Sequence, residues 1–273
     1  MNGQEMKNEL IKGKCIYGTL VVSTSPKWLK YIKNIGMDFV FIDTEHVAID
    51  RETLSWMCYA YGAMNLAPVV RIPAPDPYIA TQVLDGGACG IIAPYIETEE
   101  QVKALVGAVK FKPVKGRKLE EKLKGAAQFE PELEKYIENA NKNNILLINI
   151  ESKAGIEALD EILKVPGLDG VVIGPHDLSC SLGIPEQYDH PLFEKAVRGI
   201  LKKCRDRGIG AGIHFMGSIE KEISWVREAG LNLVIHSADL NVFVGTMKKD
   251  LNKMKEAVGD LEALAGKTER INI

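Results

Sequence analysis

Residues 145–175, ILLINIESKAGIEALDEILKVPGLDGVVIGP, hold the pattern that decides the fold. A β-branched, mostly apolar run, ILLINIE, gives way to the amphipathic segment SKAGIEALDEILKV. After a Pro-Gly turn a second apolar run, GVVIGP, follows. Both runs are apolar on both faces, which suits strands of a parallel sheet covered by helices.

The same alternation extends in both directions. CIYGTLVV, FVFID, PVVRI and GIIAPYI precede the unit, and GAGIHF and NLVIHS follow it. Helical patterns such as TEEQVKALVGAVK, PLFEKAVRGILKKCRDRG and SIEKEISWVREAG lie between them. Several stop at glycine, as at Gly208 and Gly230, where a left-handed residue ends a helix. Eight strands alternating with helices match an α/β fold of the (β/α)8 barrel type, which takes roughly 250 residues. An open doubly wound sheet is the rival, but no strand is followed by the G-x-G-x-x-G turn that would support it.

One stretch breaks the rhythm. Residues 110–130, KFKPVKGRKLEEKLKGAAQFE, are charged and strandless, and are expected to form an active-site loop or lid. A further helix is expected at about 131–143 and the last barrel helix over 239–257. No linker interrupts the pattern, so residues 1–273 are expected to be a single domain.

The chain has 273 residues, 46% hydrophobic and 26% charged, with a net charge of −3, so no basic excess points to nucleic acid or to an anionic membrane. The polar start, MNGQEMKNELIKGK, lacks the apolar core of a secretory signal, and no apolar run approaches the ~18 residues of a membrane span. Five scattered cysteines with no C-x-x-C pair suit reduced thiols in a cytoplasmic protein.

In such a barrel the chemistry gathers at the C-terminal ends of the strands. FIDTEH, residues 41–46, puts Asp43, Glu45 and His46 at the second strand end. Arg71 ends the third and Glu151 the fifth, GPHD brings His176 and Asp177 to the sixth, and His214 and His236 belong to the last two. Glu151 and Asp177 are expected on adjacent strands, ~4.8 Å apart at their axes. Two carboxylates so close repel unless a cation lies between them, and hard divalent ions such as Mg2+ take oxygen ligands of this kind. The alternative is that Glu151 caps the next helix and Asp177 pairs with a nearby cation. Arg71 carries a planar fork suited to a carboxylate or a developing oxyanion, and suited equally to a structural pair with Asp43 or Glu45. His46 is of the residue type that moves protons at neutral pH, and Asp85, at the end of the third helix, is a candidate to orient it.

His176, His214 and His236 raise the alternative of a zinc hydrolase, although no H-x-H or H-x-x-x-H pair occurs. Gly217 and Ser218 suit either a phosphate at a helix start or a plain N-cap. No strand run contains lysine, which argues against a Schiff base and leaves the electrophile's role to a metal.

Taken together, FVFIDTEH, VVRIPAPDP, QVLDGGACGIIAPYIETEEQ, INIES and GLDGVVIGPHDLSCSLG resemble the HpcH/HpaI aldolase and citrate lyase family. Within it they are similar to the class II pyruvate aldolases acting on 4-hydroxy-2-oxo-heptanedioate or 2-keto-3-deoxy sugar acids. The resemblance spans roughly residues 15 to 250 and implies a TIM barrel of the phosphoenolpyruvate/pyruvate-superfamily type. It implies an aldehyde-lyase that cleaves a 4-hydroxy-2-oxo acid to pyruvate and an aldehyde through a pyruvate enolate. By position, Glu151 and Asp177 would hold Mg2+ or Mn2+, with Co2+ a further option. Arg71 would stabilise the enolate, His46 would be the general base working through a water, and Asp85 would orient it. Asp43, Glu45 and Asn149 would support them, and Pro175, His176 and Ser179 would surround the carboxylate end of a small 2-oxo acid. The family also implies a homo-oligomer, a trimer or a hexamer, with the last barrel helix exchanged between subunits.

Departures from the family pattern stand beside these implications. Where the family's long loop reads P-x-G-x-R-G, this chain keeps Arg117 but has Lys118 in place of the glycine. Asn149 stands where glutamine is expected, and His176, His214 and His236 where small or apolar residues are common. Two other readings stay open: a malyl- or citramalyl-CoA-type lyase, and a ligand-binding barrel without turnover.

Overall fold

All eight apolar runs form strands, and they close on themselves in chain order as a parallel barrel. The computed structural model describes residues 1–260. The strands are β1 (Ile16–Leu20), β2 (Phe39–Asp43), β3 (Ala67–Arg71), β4 (Gly90–Ala93), β5 (Ile145–Ile150), β6 (Gly170–Ile173), β7 (Gly210–Phe215) and β8 (Leu233–Ala238). The helices up to β5 are α1 (Gly3–Ile11), α2 (Trp28–Lys33), α3 (Arg51–Ala63), α4 (Pro77–Asp85), α5 (Glu99–Lys110), α6 (Gly116–Leu123) and α7 (Pro131–Asn141). After it come α8 (Lys153–Ile162), α9 (Pro175–Ser181), α10 (Pro191–Asp206), α11 (Ile219–Glu228) and α12 (Asp239–Val258). Closure, with β8 pairing parallel to β1, excludes the open sheet.

Alternate residues of each strand serve two cores. Phe39, Phe41, Val69, Leu147, Val172, Leu233 and Ile235 fill the barrel interior. Val40, Ile42, Val70, Ile148, Ile150, Val171 and Ile213 pack outward under the helices. Both faces are therefore buried, the physical reason the strand sequences lack polar alternation. The N-terminal segment, read from sequence only as polar, is the helix α1. Its Met6 and Leu10 are buried with the interior core, so α1 closes the N-terminal end of the barrel.

Within the chain, the charged stretch at 110–130 does not lie over the mouth as the expected lid would. α5 runs back from the mouth, so residues after it emerge at the N-terminal rim, and α6 and α7 lead from there into the start of β5. α6 lies against α5, with Leu119 and Leu123 packed over Gly107. Arg117 is 91% exposed and pairs with Glu121, and Lys118 pairs with Glu130. Within the chain neither residue reaches the C-terminal mouth. Of the expected single domain over 1–273, residues 261–273 lie outside the described residues.

α12 leaves the barrel after Asp239, whose carboxylate accepts the backbone N–H groups of Val22 and Ser23 at the end of β1. Beyond that anchor its apolar residues Leu240, Phe243, Val244, Met247, Leu251 and Met254 recur at three- and four-residue spacing and stand exposed.

Candidate active site

The DTEH segment folds over the end of β3. Thr44 donates through both its amide and its hydroxyl to the Arg71 carbonyl, at 3.0 and 2.6 Å, and the Glu45 amide donates to Asp43 Oδ1. Arg71 is buried and lays its fork on Asp43, with Nε 2.8 Å from Oδ1 and Nη2 2.6 Å from Oδ2. Glu45 Oε2 is 3.1 Å from the same Nε and 3.8 Å from His46 Nε2. The structural pairing of Arg71 is thus present with both carboxylates, and it leaves Nη1 without a partner among the described residues. Burial alone would raise the Asp43 carboxyl, but the hydrogen bonds and charge of Arg71 outweigh it and hold that carboxyl below its ordinary value. Glu45 moves the other way, raised chiefly by burial with Asp43 and Asp177 adding to it.

Across the mouth, Glu151 is 2% exposed. Its Oε1 accepts the Tyr95 N–H at 2.7 Å and its Oε2 accepts Asn149 Nδ2 at 2.9 Å. Tyr95 adopts a left-handed backbone, φ 52°, uncommon for a side-chain-bearing residue, and that conformation aims its N–H at the carboxylate. Gly174 makes room on the other side: a Cβ there would stand 2.0 Å from Glu151 Oε2. Burial raises the Glu151 carboxyl, and the charge of Asp177 adds to the effect. Glu151 does not cap α8, because Ser152 does so by accepting the Gly155 N–H. Asp177 sits in the first turn of α9 and has no ion pair among the described residues.

Four carboxylates, Asp43, Glu45, Glu151 and Asp177, therefore interact around one arginine. Two of them are raised by burial, and Glu151 is cradled by donors with the buried Asn149 Oδ1 left unpartnered beside it. That donor set fits a hard divalent ion. The described residues gather no three-ligand protein cage, so such an ion would take its remaining ligands from solvent and substrate, as Mg2+-type ions commonly do.

Other expected residues fall elsewhere. Asp85 ends α4 at the N-terminal rim, is 65% exposed and pairs with Lys112, so within the chain it does not orient His46. Ser179 is buried with its hydroxyl already used, donating to the His176 carbonyl and accepting the Glu186 N–H, so it pins α9 to the following turn and does not face a ligand. Pro175 starts α9, and His176 is exposed, 3.7 Å from Glu186. The three histidines of the zinc alternative diverge. His236 turns out to Glu222 on α11 at 2.5 Å, His176 faces solvent, and His214 alone points into the barrel, edge-on to Phe41. Sequence reasoning missed Tyr95 and Gly174, whose contributions are a backbone N–H and an absent side chain.

Residues 17–244 match the HpcH/HpaI aldolase/citrate lyase family. The chain belongs to that family. Among HpcH/HpaI relatives, it is 32% identical to a hydroxypyruvate/pyruvate aldolase of Roseobacter denitrificans, over 92% of this chain and 96% of that one. It is 31% identical to a 2-keto-3-deoxy-L-rhamnonate aldolase of Klebsiella pneumoniae subsp. pneumoniae, over 91% and 92%. The solved citrate synthase SbnG superposes with a TM-score of 0.78 at 30% identity, over 93% of this chain and 98% of that one. An HpcH/HpaI aldolase from Desulfitobacterium hafniense, at 24% identity, shares the fold with a TM-score of 0.79, over 92% and 96%.

Proposed function

We propose that this barrel is a divalent-metal-dependent aldolase that reversibly cleaves a 4-hydroxy-2-oxo acid to pyruvate and an aldehyde. Aldolase chemistry follows the family and the names of the relatives. The observation that carries the metal-dependent reading is Glu151, a buried carboxylate fixed at both oxygens beside Asp177, across the mouth from Arg71. A bound Mg2+, Mn2+ or Co2+ would supply Lewis acidity at the 2-oxo group of the substrate. Glu151 and Asp177 are the residues to hold it.

The chain's own part is positioning and proton handling. Asp43 and Glu45 hold Arg71 in place, so its Nη1 would meet, without reorganisation, the oxygen on which negative charge develops during cleavage. His46, half exposed beside Glu45, would take the proton of the 4-hydroxyl, directly or through a water. In the condensation direction the same residue returns it. The exposed apolar stripe of α12 supports a homo-oligomer in which a second copy covers that helix.

Pyruvate release from a panel of 4-hydroxy-2-oxo acids, with Mn2+ and then with a chelator, tests the function. Release that the chelator stops supports it, and undiminished release from metal-stripped protein refutes the metal dependence. The likeness to the citrate synthase SbnG favours one second reading, a condensation that forms citrate or a like acid, which an assay for that product would distinguish.

A further inference from the structure

His214 occupies an inward position near the end of β7. Ala211, Ile213 and Phe215 pack outward under the helices, and His214 meets Phe41 of the interior core edge-on, ring centroids 5.2 Å apart. Its Nε2 lies 3.0 Å from the Ser237 carbonyl oxygen. A carbonyl only accepts, so Nε2 must carry the proton. Ser237 is built for this contact. Its φ of 55° is left-handed and the β8–β1 register shifts around it, Gly18 pairing with Ile235 but Leu20 with Ala238, so its carbonyl leaves the regular ladder. Burial holds the imidazole neutral, its pKa pushed down to about 4. A neutral ring protonated on Nε2 presents a lone pair on Nδ1, and among the described residues nothing takes it. The ring is only partly enclosed. His214 stands one residue before the C-terminal end of β7, the end at which inward side chains border the barrel mouth. Near it stand Asp43 and Arg71, paired with each other through Nε and Nη2, so Nδ1 is an uncommitted neutral acceptor there.

We propose that His214 is a specificity-determining residue whose Nδ1 accepts a hydrogen bond from a substrate hydroxyl. The proposal rests on the aldolase reading above and deepens it. The hydroxyl comes either from the nucleophile, as in hydroxypyruvate, or from the aldehyde, as in a 2-hydroxyaldehyde.

Two substrate pairs distinguish these sources, assayed in the condensation direction with Mn2+ present. Hydroxypyruvate is compared with pyruvate, each with propionaldehyde, and glycolaldehyde is compared with acetaldehyde, each with pyruvate. The wild type is expected to favour the hydroxylated member of one pair by about tenfold in kcat/KM, the worth of one hydrogen bond, and that pair identifies the half of the substrate read. His214→Leu is expected to bring the ratio within about twofold, and His214→Asn, whose amide oxygen replaces Nδ1, to keep most of it. A wild type with no preference in either pair overturns the proposal without any variant. A proportional loss with both members, the ratio unchanged, assigns His214 a structural role and also overturns it. A wild type inactive on all four combinations refutes the aldolase reading itself and is thereby told apart. Nitrogen NMR of histidine-labelled protein needs no turnover: the Nε2–H tautomer is expected at His214, and the Nδ1–H tautomer overturns the proposal.

Discussion

Mild acid should destabilise this protein through one residue. The His214 imidazole has a folded-state pKa of about 4, whereas in the unfolded chain it returns to about 6.5. Between those values the unfolded state binds a proton that the folded state refuses, so stability falls as pH falls. At about pH 5 the unfolded imidazole is nearly all charged and the folded one about a tenth charged, which costs about 2 kcal/mol. By pH 4 the cost approaches about 3 kcal/mol. The assay is urea denaturation of wild type and His214→Asn at about pH 7, 6 and 5, with the slope against urea checked for constancy. Asp43, Glu45 and Glu151 titrate in both proteins, so the difference between the two stabilities reports the imidazole together with its coupling to Asp43. The wild type should lose about 2 kcal/mol relative to the variant between about pH 7 and 5. A difference flat within about 0.5 kcal/mol would refute the neutral ring. A difference of opposite sign would mean that His214 is charged in the fold.

Asp43→Ala, which strips Arg71 of its bidentate partner, should cost about 3 kcal/mol, the lower end for breaking a buried pair because Glu45 remains on Nε. Thermal melts should show a drop of about 6–12 °C, whereas Glu45→Gln should change stability by less than about 1 kcal/mol; equal losses would contradict the unequal roles assigned to them. Mn2+ at about a hundredfold excess over its dissociation constant should raise the melting temperature by about 5–11 °C, and Glu151→Gln should abolish that rise. His236 has its pKa raised by its hydrogen bond to Glu222, with burial opposing, so this contribution is full below about pH 6.5 and is lost as pH rises through the folded value. Glu222→Gln should remove that alkaline decline, and its persistence in denaturation curves would assign the decline to another group. Phe243→Glu combined with Met247→Glu on the α12 stripe should yield a smaller sedimenting species, and an unchanged one would exclude that face from assembly.

Most of the mouth was legible because a (β/α)8 barrel sends every strand end to one rim. Once the apolar runs were recognised, Asp43, Glu45, His46, Arg71, Glu151 and Asp177 had to converge, whatever their separation in sequence. Three expected residues lie at the other rim of this chain for a cause of the same kind. Asp85 ends α4, and Arg117 and Lys118 open α6 shortly after α5; α4 and α5 each return the chain to the opposite rim, which charge and loop length alone do not reveal. Ser179 failed for another reason: a hydroxyl's direction depends on which backbone groups claim it.

The sequence by itself determined the barrel, because burial on both strand faces demands continuous apolar runs and the helices between them must be amphipathic. It determined also which ionisable groups share the mouth. Only the tertiary structure decided how those groups are held and charged. Glu151 is fixed by the Tyr95 amide and the space over Gly174, and the proton on His214 is fixed by the Ser237 carbonyl. Those partners are backbone groups and an empty volume, identical in every residue type or invisible in any, so no reading of side chains alone reveals where they point.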